Sequence, residues 1–281
     1  MDVLNIISNA GGDFINPAIG GNLSNEIEHL AGMTQEEKQK LKVDLENKRV
    51  GSLEGYNCDV CYNKGFIMNY NNSVTQCKCM KIRETYAQLR RSGLYEKVKS
   101  LTFKNYTVTE EWQKKCLEVC LDYCKNKENW LFLGGQSGCG KTHLCTATFG
   151  YLVKQGITVK YMSWRDDITE LKQVITDSDI YQRRIIPLKI ADLLYIDDFF
   201  KTEQGKQPTQ SDINLAYEIL NFRYNNKLMT IISSELTTGE IINIDEAIAG
   251  RILEMSQEKG HCIDIQKDRS KNYRLKGYTV I

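Results

Sequence analysis

The 281-residue chain has only three prolines and no long apolar run. So little proline, beside 41% apolar and 26% charged residues, excludes collagen-like, low-complexity and wholly disordered classes. No stretch approaches the roughly 20 consecutive apolar residues that span a bilayer, so no membrane insertion is expected. The N-terminus, Met1-Asp2-Val3-Leu4-Asn5, carries an acid where a secretory signal would carry Lys or Arg, and a cytoplasmic protein is expected. An overall excess of one charge is also missing: 37 Lys and Arg stand against 36 Asp and Glu, which disfavours a uniformly basic nucleic-acid coat protein. The balance is not local. Residues 1–57 hold nine acids and five bases, whereas residues 78–104 hold eight bases and two acids. The second stretch is either a solvated helix face or a phosphate-contacting segment. The length leaves room for one large domain or two smaller ones, with a core that needs no disulfide staples.

Cysteine, by contrast, is plentiful at ten residues. A cytosolic compartment keeps thiols reduced, so metal ligation or burial must account for them. Cys58 and Cys61, then Cys77 and Cys79, form two close pairs joined by a short loop. Gly65 and the run Asn69-Tyr70-Asn71-Asn72-Ser73 supply the chain reversals between them. Zinc takes four tetrahedral thiolates at about 2.3 Å, and a closed shell of this kind is structural rather than catalytic. Cys116, Cys120 and Cys124 recur every four residues and read instead as a buried helix stripe.

The apolar run Trp130-Leu-Phe-Leu-Gly134 reads as a buried strand leading into Gly135-Gln136-Ser137-Gly138-Cys139-Gly140-Lys141-Thr142. This is the G-x-x-x-x-G-K-T phosphate loop. Its glycines let backbone N–H groups converge on phosphates, Lys141 supplies a cation to the β and γ phosphates, and Thr142 offers a hydroxyl to Mg²⁺. A helix over about 141–155 aims its positive end at the same anion, and Gly156 ends it.

Leu193-Leu-Tyr-Ile196 is a second apolar strand, and it ends in Asp197 and Asp198. Asp197 is placed to hold Mg²⁺ and Asp198 to orient the attacking water as general base. Between the two motifs lie an alternating strand, 157–162, and helical spacing over 165–186 with Ile168, Leu171, Val174 and Ile175 on one face. A helix over 210–226 and a strand over Met229–Ser234 follow. Ser233 and Ser234 stand at the carboxyl end of that strand, where open parallel sheets bind ligands, or they merely satisfy a loop. Arg251, on a short helix from Asp245, either pairs with Glu254 on the surface or reaches a neighbouring subunit's ATP site as an arginine finger. Tyr181, Arg183 and Arg184 form a weaker candidate contact, with a solvated face as the plainer reading.

The ordered set resembles the lidless AAA+ ATPases of the bacterial helicase-loader group, DnaC, DnaI and their phage and mobile-element relatives. Over residues 56–281 it is carried by Tyr56-Asn-Cys58-Asp-Val-Cys61, Gly65-Phe-Ile67 and Cys77-Lys-Cys79, then by Gly135 to Thr142 with His143 and Leu144. It continues through Tyr195-Ile-Asp-Asp198-Phe-Phe-Lys201, Thr230-Ile-Ile-Ser-Ser-Glu235, Gly250-Arg251-Ile252 and Asn272-Tyr-Arg-Leu275. The resemblance implies an α/β fold, a P-loop NTPase whose parallel sheet is sandwiched by helices. It also implies no C-terminal lid, and a small Cys₄ zinc module and N-terminal helices before the ATPase. It implies ATP, Mg²⁺ and Zn²⁺ as cofactors, with ATP held by residues 135–143 and Asp197, and Mg²⁺ by Thr142 and Asp197. Lys141, Asp198, Ser234 and Arg251 would carry the chemistry. Its partners would be a hexameric replicative helicase, loaded onto single-stranded DNA, and further copies of itself.

Two departures stand out. Many relatives have Glu at position 198, where the shorter Asp implies slow hydrolysis, and Asn where this chain has Glu235; the missing lid implies that a partner completes the site and stimulates turnover. The expected organisation is an N-terminal helical region over 1–55, a zinc module over 56–80, a basic linker over 81–110 and the ATPase over 111–281. Thr34-Gln-Glu-Glu37 is a capping box opening a helix to about Asn47, and glycines at 11, 12, 20 and 21 suggest loose connections before it. Two other functions share these motifs: an IstB-type transposition helper, and a nucleotide-gated binding module that does not hydrolyse usefully.

Overall fold

The computed structural model describes residues 32–91 and 94–275. The glycines at 11, 12, 20 and 21 and most of the expected N-terminal region lie outside the described residues. The chain divides into two units, one ending at Met80 and one beginning at Lys81.

In the first unit Thr34 caps helix α1 (Gln35–Lys48). Its hydroxyl accepts the Glu37 N–H, and the Glu37 carboxylate accepts the Thr34 N–H in return. Near the helix end the Asn47 amide pairs with both backbone polar groups of Met68, at 2.9 Å each. That contact fixes α1 to strand β1 (Phe66–Met68), which pairs antiparallel with β2 (Val74–Gln76). Asn72, at φ 63°, makes the reversal between them.

Helices α2 (Cys79–Arg91), α3 (Tyr95–Ser100) and α4 (Glu111–Asn126) precede the main sheet. Its strands are β3 (Trp130–Gly135), β4 (Val159–Ser163), β5 (Leu193–Phe199), β6 (Met229–Ser234) and β7 (Cys262–Ile265). All pair in parallel, in the order β4-β5-β6-β3-β7. Helix α5 (Lys141–Lys154) covers one face, with α4 behind it. Helices α6 (Trp164–Gln173), α7 (Ser178–Ile190), α8 (Gln210–Asn225), α9 (Thr238–Ile242) and α10 (Glu246–Gln257) build the other side. Both faces are covered, so the strands are continuously apolar; Trp130 to Leu133 are all fully buried. This is the α/β P-loop architecture expected from the sequence. Between β7 and Leu275 the described residues form only two short 3₁₀ turns, Arg269–Lys271 and Tyr273–Leu275.

The single helical segment expected over 165–186 is two helices. Asp177 breaks it: its carboxylate accepts the Ile180 N–H at 3.1 Å and caps α7, which stops α6 at Gln173. Ile175 falls in the connection and is half exposed, so it leaves the apolar face assigned to it. Arg183 and Arg184 are exposed, as the solvated-face reading has it, with Arg184 paired to Glu170, but Tyr181 leaves that face: it is buried and donates to Glu218. The Cys116, Cys120 and Cys124 stripe is buried, with Cys120 and Cys124 against Thr148 of α5. Burial pushes the Cys116 and Cys124 thiols up to about 12, which suits inert packing groups.

Arg223 on α8 is fully buried. It donates to the carbonyls of Leu188, Lys189 and Ala191 at 2.9–3.1 Å, to that of Met229, and to the Thr230 hydroxyl at 2.9 Å. One guanidinium thereby satisfies the open carbonyl end of α7 and ties it to β6. Burial lowers its ordinary pKa to about 10, still charged at neutral pH. Arg223→Met should destabilise the second unit by roughly 3 kcal/mol or more, because several buried carbonyls lose their donor. Urea unfolding followed by tryptophan fluorescence measures this, and an unchanged midpoint would contradict it.

Candidate functional site

The phosphate loop leaves β3, an interior strand between β6 and β7, where successive connections diverge and a crevice opens at the strand ends. Gly138 and Gly140 adopt φ values of 78° and 91°, a region that favours glycine. A side chain at Gly140 would also press on the Tyr106 ring, and one at Gly138 would strike the Asn272 amide. The loop is clamped from the C-terminal side as well. Asp268 donates its N–H to Gln136 Oε1 at 2.7 Å, and Tyr273 donates its N–H to the Gly138 carbonyl at 2.9 Å.

Lys141, almost fully buried, extends within this loop, and its ammonium donates to the Gln136 carbonyl at 2.6 Å. Cys139 donates to the same carbonyl at 3.0 Å. His143 reaches the Thr102 carbonyl through Nε2 at 2.9 Å and stands edge-on to Tyr106. The resulting cleft has a volume of about 450 Å³, and residues 137–143, Asp198, Lys201 and Glu235 line it together with Tyr273 and Arg274.

Asp197 is the point where the elements meet. Its Oδ1 accepts from the hydroxyls of Thr142 at 3.1 Å, Tyr195 at 2.9 Å and Ser233 at 2.5 Å, and its Oδ2 accepts from Tyr161 at 3.2 Å. Burial, followed by the Asp197 charge, holds both tyrosines well above the usual phenol range, so they remain donors. Thr142 and Asp197 present a hydroxyl and a carboxylate side by side, the oxygen donor set that Mg²⁺ takes beside a nucleotide. The residues fit the ion.

Asp198 turns the other way. Its φ is 55° and that of Phe200 is 58°, and a register shift interrupts the β5–β6 pairing between Ile196 and Phe199. The kink aims the Asp198 carboxylate into the cleft, while its N–H donates to Ser233 Oγ at 3.1 Å. Ser233 thus links the two acids. Ser234 is not brought to the cleft. It is fully buried, donates to the Phe199 carbonyl at 2.7 Å and accepts the Leu236 N–H, which corrects the expectation that its hydroxyl reaches a phosphate.

Arg251 is also absent from the cleft lining of its own chain. Its guanidinium donates to Asn221, to the Tyr217 hydroxyl and to the Ala247 carbonyl, and it lies 4.6 Å over the Tyr217 ring. Asn221 and Tyr217, rather than Glu254, hold it; Glu254 accepts from Tyr224.

In the first unit Cys58, Cys61, Cys77 and Cys79 bring all four sulfurs within 4.8 Å of one another. Cys58 and Cys77 are 3.8 Å apart, and Cys61 and Cys79 are 3.5 Å apart. Four sulfurs at about 2.3 Å from a tetrahedral zinc ion lie about 3.8 Å apart, so the cluster fits that ion. The Gly65 N–H donates to Cys61 Sγ at 3.3 Å, an outer-shell contact typical of thiolate sites. Among the described residues no other cluster of this kind occurs.

Sequence comparison places these features in a family. The family model of IstB-like ATP binding proteins matches residues 72–279. The phage-like element PBSX protein XkdC of Bacillus subtilis (strain 168) is 31% identical over 241 residues, covering 79% of this chain and 87% of XkdC. The protein YqaM of the same strain is 32% identical over 214 residues, covering 71% of this chain and 66% of YqaM. The replicative helicase loader DnaC of Buchnera aphidicola subsp. Baizongia pistaciae is 30% identical over 176 residues, covering 60% of this chain and 64% of DnaC. The chain therefore spans a little under two thirds of the last two relatives.

Metal analysis of protein purified without chelator should give about one zinc per chain. Replacing Cys77 and Cys79 together with Ser should bring this close to zero. Full zinc retention in that variant, or iron in place of zinc, would contradict the assignment.

Proposed function

The chain belongs to the family of IstB-like ATP binding proteins, and from that premise we propose that it is an ATP-driven loader of a hexameric replicative helicase onto single-stranded DNA. The observation that carries the ATPase reading is the paired arrangement at the end of β5: Asp197 bonded to Thr142 of the phosphate loop, Asp198 facing the same cleft. The similarity to the replicative helicase loader DnaC supports the choice of cargo.

In this reading the backbone of residues 135–142 and the Lys141 ammonium bind the phosphates. Thr142 and Asp197 hold Mg²⁺, which neutralises charge developing on the transferred phosphoryl group. Asp198 orients the attacking water and accepts its proton. Arg251, which does not line its own cleft, serves the site of a neighbouring copy, so the site is complete only in an assembly. Slow turnover by the isolated protein follows from that arrangement. Residues 1–80 with their zinc module dock the helicase, and the basic stretch 78–104 contacts the DNA strand. Among the described residues no helix is long and apolar enough to cross a membrane.

ATP turnover measured alone, with single-stranded DNA, and with DNA plus the replicative helicase tests the ATPase reading. Turnover should rise on adding both partners. Asp198→Asn should retain ATP binding and lose about 100-fold or more in rate. Arg251→Ala should lose the stimulated part of the rate, and mixing Arg251→Ala with Lys141→Ala should restore some of it. Unchanged turnover in Asp198→Asn would refute its role as base, and full stimulation in Arg251→Ala would refute completion in trans.

A further inference from the structure

The cleft carries two carboxylates at the end where the transferred phosphate would lie. Asp198 and Glu235 both line it, beside Ser137 and Lys141 of the phosphate loop. Two exposed acids facing a nucleotide polyanion would repel it. Lys201 sits between them, with its ammonium 2.8 Å from Asp198 Oδ2 and 3.1 Å from Glu235 Oε1. We infer that Lys201 is a positioning cation of the nucleotide site, which neutralises Glu235 and fixes the Asp198 carboxylate so that the cleft accepts phosphate. This inference rests on the ATP-binding reading above.

The backbone places Lys201 there by construction. After the left-handed residues Asp198 and Phe200, the Lys201 N–H donates to the Asp198 carbonyl at 2.9 Å, and the side chain folds back over the turn. Phe199 and Phe200 are buried and stacked 4.1 Å apart, and Trp164 packs edge-on to both. That aromatic cluster holds a turn whose backbone is otherwise disfavoured. Glu235 is tied in from the other side: burial opposes its ionisation, but hydrogen bonds from Lys201 and Ser137 hold its carboxyl below the ordinary range. Lys201, Glu235 and Ser137 thus connect the strand-end acids to the phosphate loop. All three side chains of the Asp198–Lys201–Glu235 bridge are about one-third exposed, open enough to meet a ligand.

The test is a double-mutant cycle read as the ATP dissociation constant of the full-length protein with Mg²⁺, by calorimetry. Lys201→Met should weaken ATP binding about tenfold or more, since Glu235 and Asp198 then face the phosphates uncompensated. Glu235→Gln alone, which removes one acid and keeps the cation, should tighten binding rather than weaken it. The pair Lys201→Met with Glu235→Gln should recover most of the loss, and Lys201→Arg should bind nearly as the parent does. Should Lys201→Met fail to fold, Lys201→Gln replaces it in the same cycle. A merely structural lysine would not be rescued by removing a charge. Parent-like binding in Lys201→Met, or no recovery in the pair, would overturn the inference. Failure of the parent protein itself to bind ATP would instead overturn the ATP-binding reading on which it rests.

Discussion

The Asp197 carboxylate accepts hydroxyls from four elements: Thr142 on α5, Tyr161 on β4, Tyr195 on β5 and Ser233 on β6. A buried carboxylate is costly unless its lone pairs are filled, and these four donors fill them. The consequence is geometric. The helix that follows the phosphate loop, the central strands and the neighbouring edge strand share one anchor point, so the loop cannot shift against the strand ends without exposing an unsatisfied charge. Ser233 extends this anchor by accepting the Asp198 N–H, which fixes the turn that aims the second acid. The same hydroxyl therefore fixes both acids, Asp197 in the interior and Asp198 at the cleft.

Around that anchor the site is assembled from segments far apart in sequence. Gln136 and Gly138 are bonded by Asp268 and Tyr273, more than 130 residues away. Lys201 and Glu235 approach from β5 and β6. The parallel sheet makes this possible because all of its strands end on one side, and loops from each can converge there. The zinc-type cluster is different in kind. It is local and closed, and its four thiols come from two short segments that flank a small hairpin.

Much of this was legible in the sequence where chemistry is written in adjacent residues. The phosphate loop, the apolar strands before it and before Asp197, the capping box at Thr34 and the paired cysteines are each encoded within a few positions, and the structure forms the corresponding elements there. What was not legible depends on distant partners. Periodicity alone extends the helical pattern to residue 186 because Ile175 keeps the spacing, while the Asp177 cap that starts a new helix competes through one local hydrogen bond. The pattern around Arg223 does not mark it as buried, since three of its acceptors lie 32–35 residues back at the end of α7, and those on β6 come within reach only once the chain has turned into the sheet. Ser233 and Ser234 look alike in sequence, yet strand alternation sends one hydroxyl to Asp197 and the other to the Phe199 carbonyl. Lys201 was visible only as part of a motif, because its role needs Glu235 from the next strand.

In the proposed function, nucleotide occupancy and turnover at this cleft place a helicase on DNA. Counting helicase hexamers retained on circular single-stranded DNA, which has no end to thread, decides the matter. With the wild-type protein and ATP, retention should rise well above that of helicase alone, and the Lys141→Ala protein should leave it at the background level. Equal retention with wild-type and Lys141→Ala proteins would show that the cleft does not drive loading.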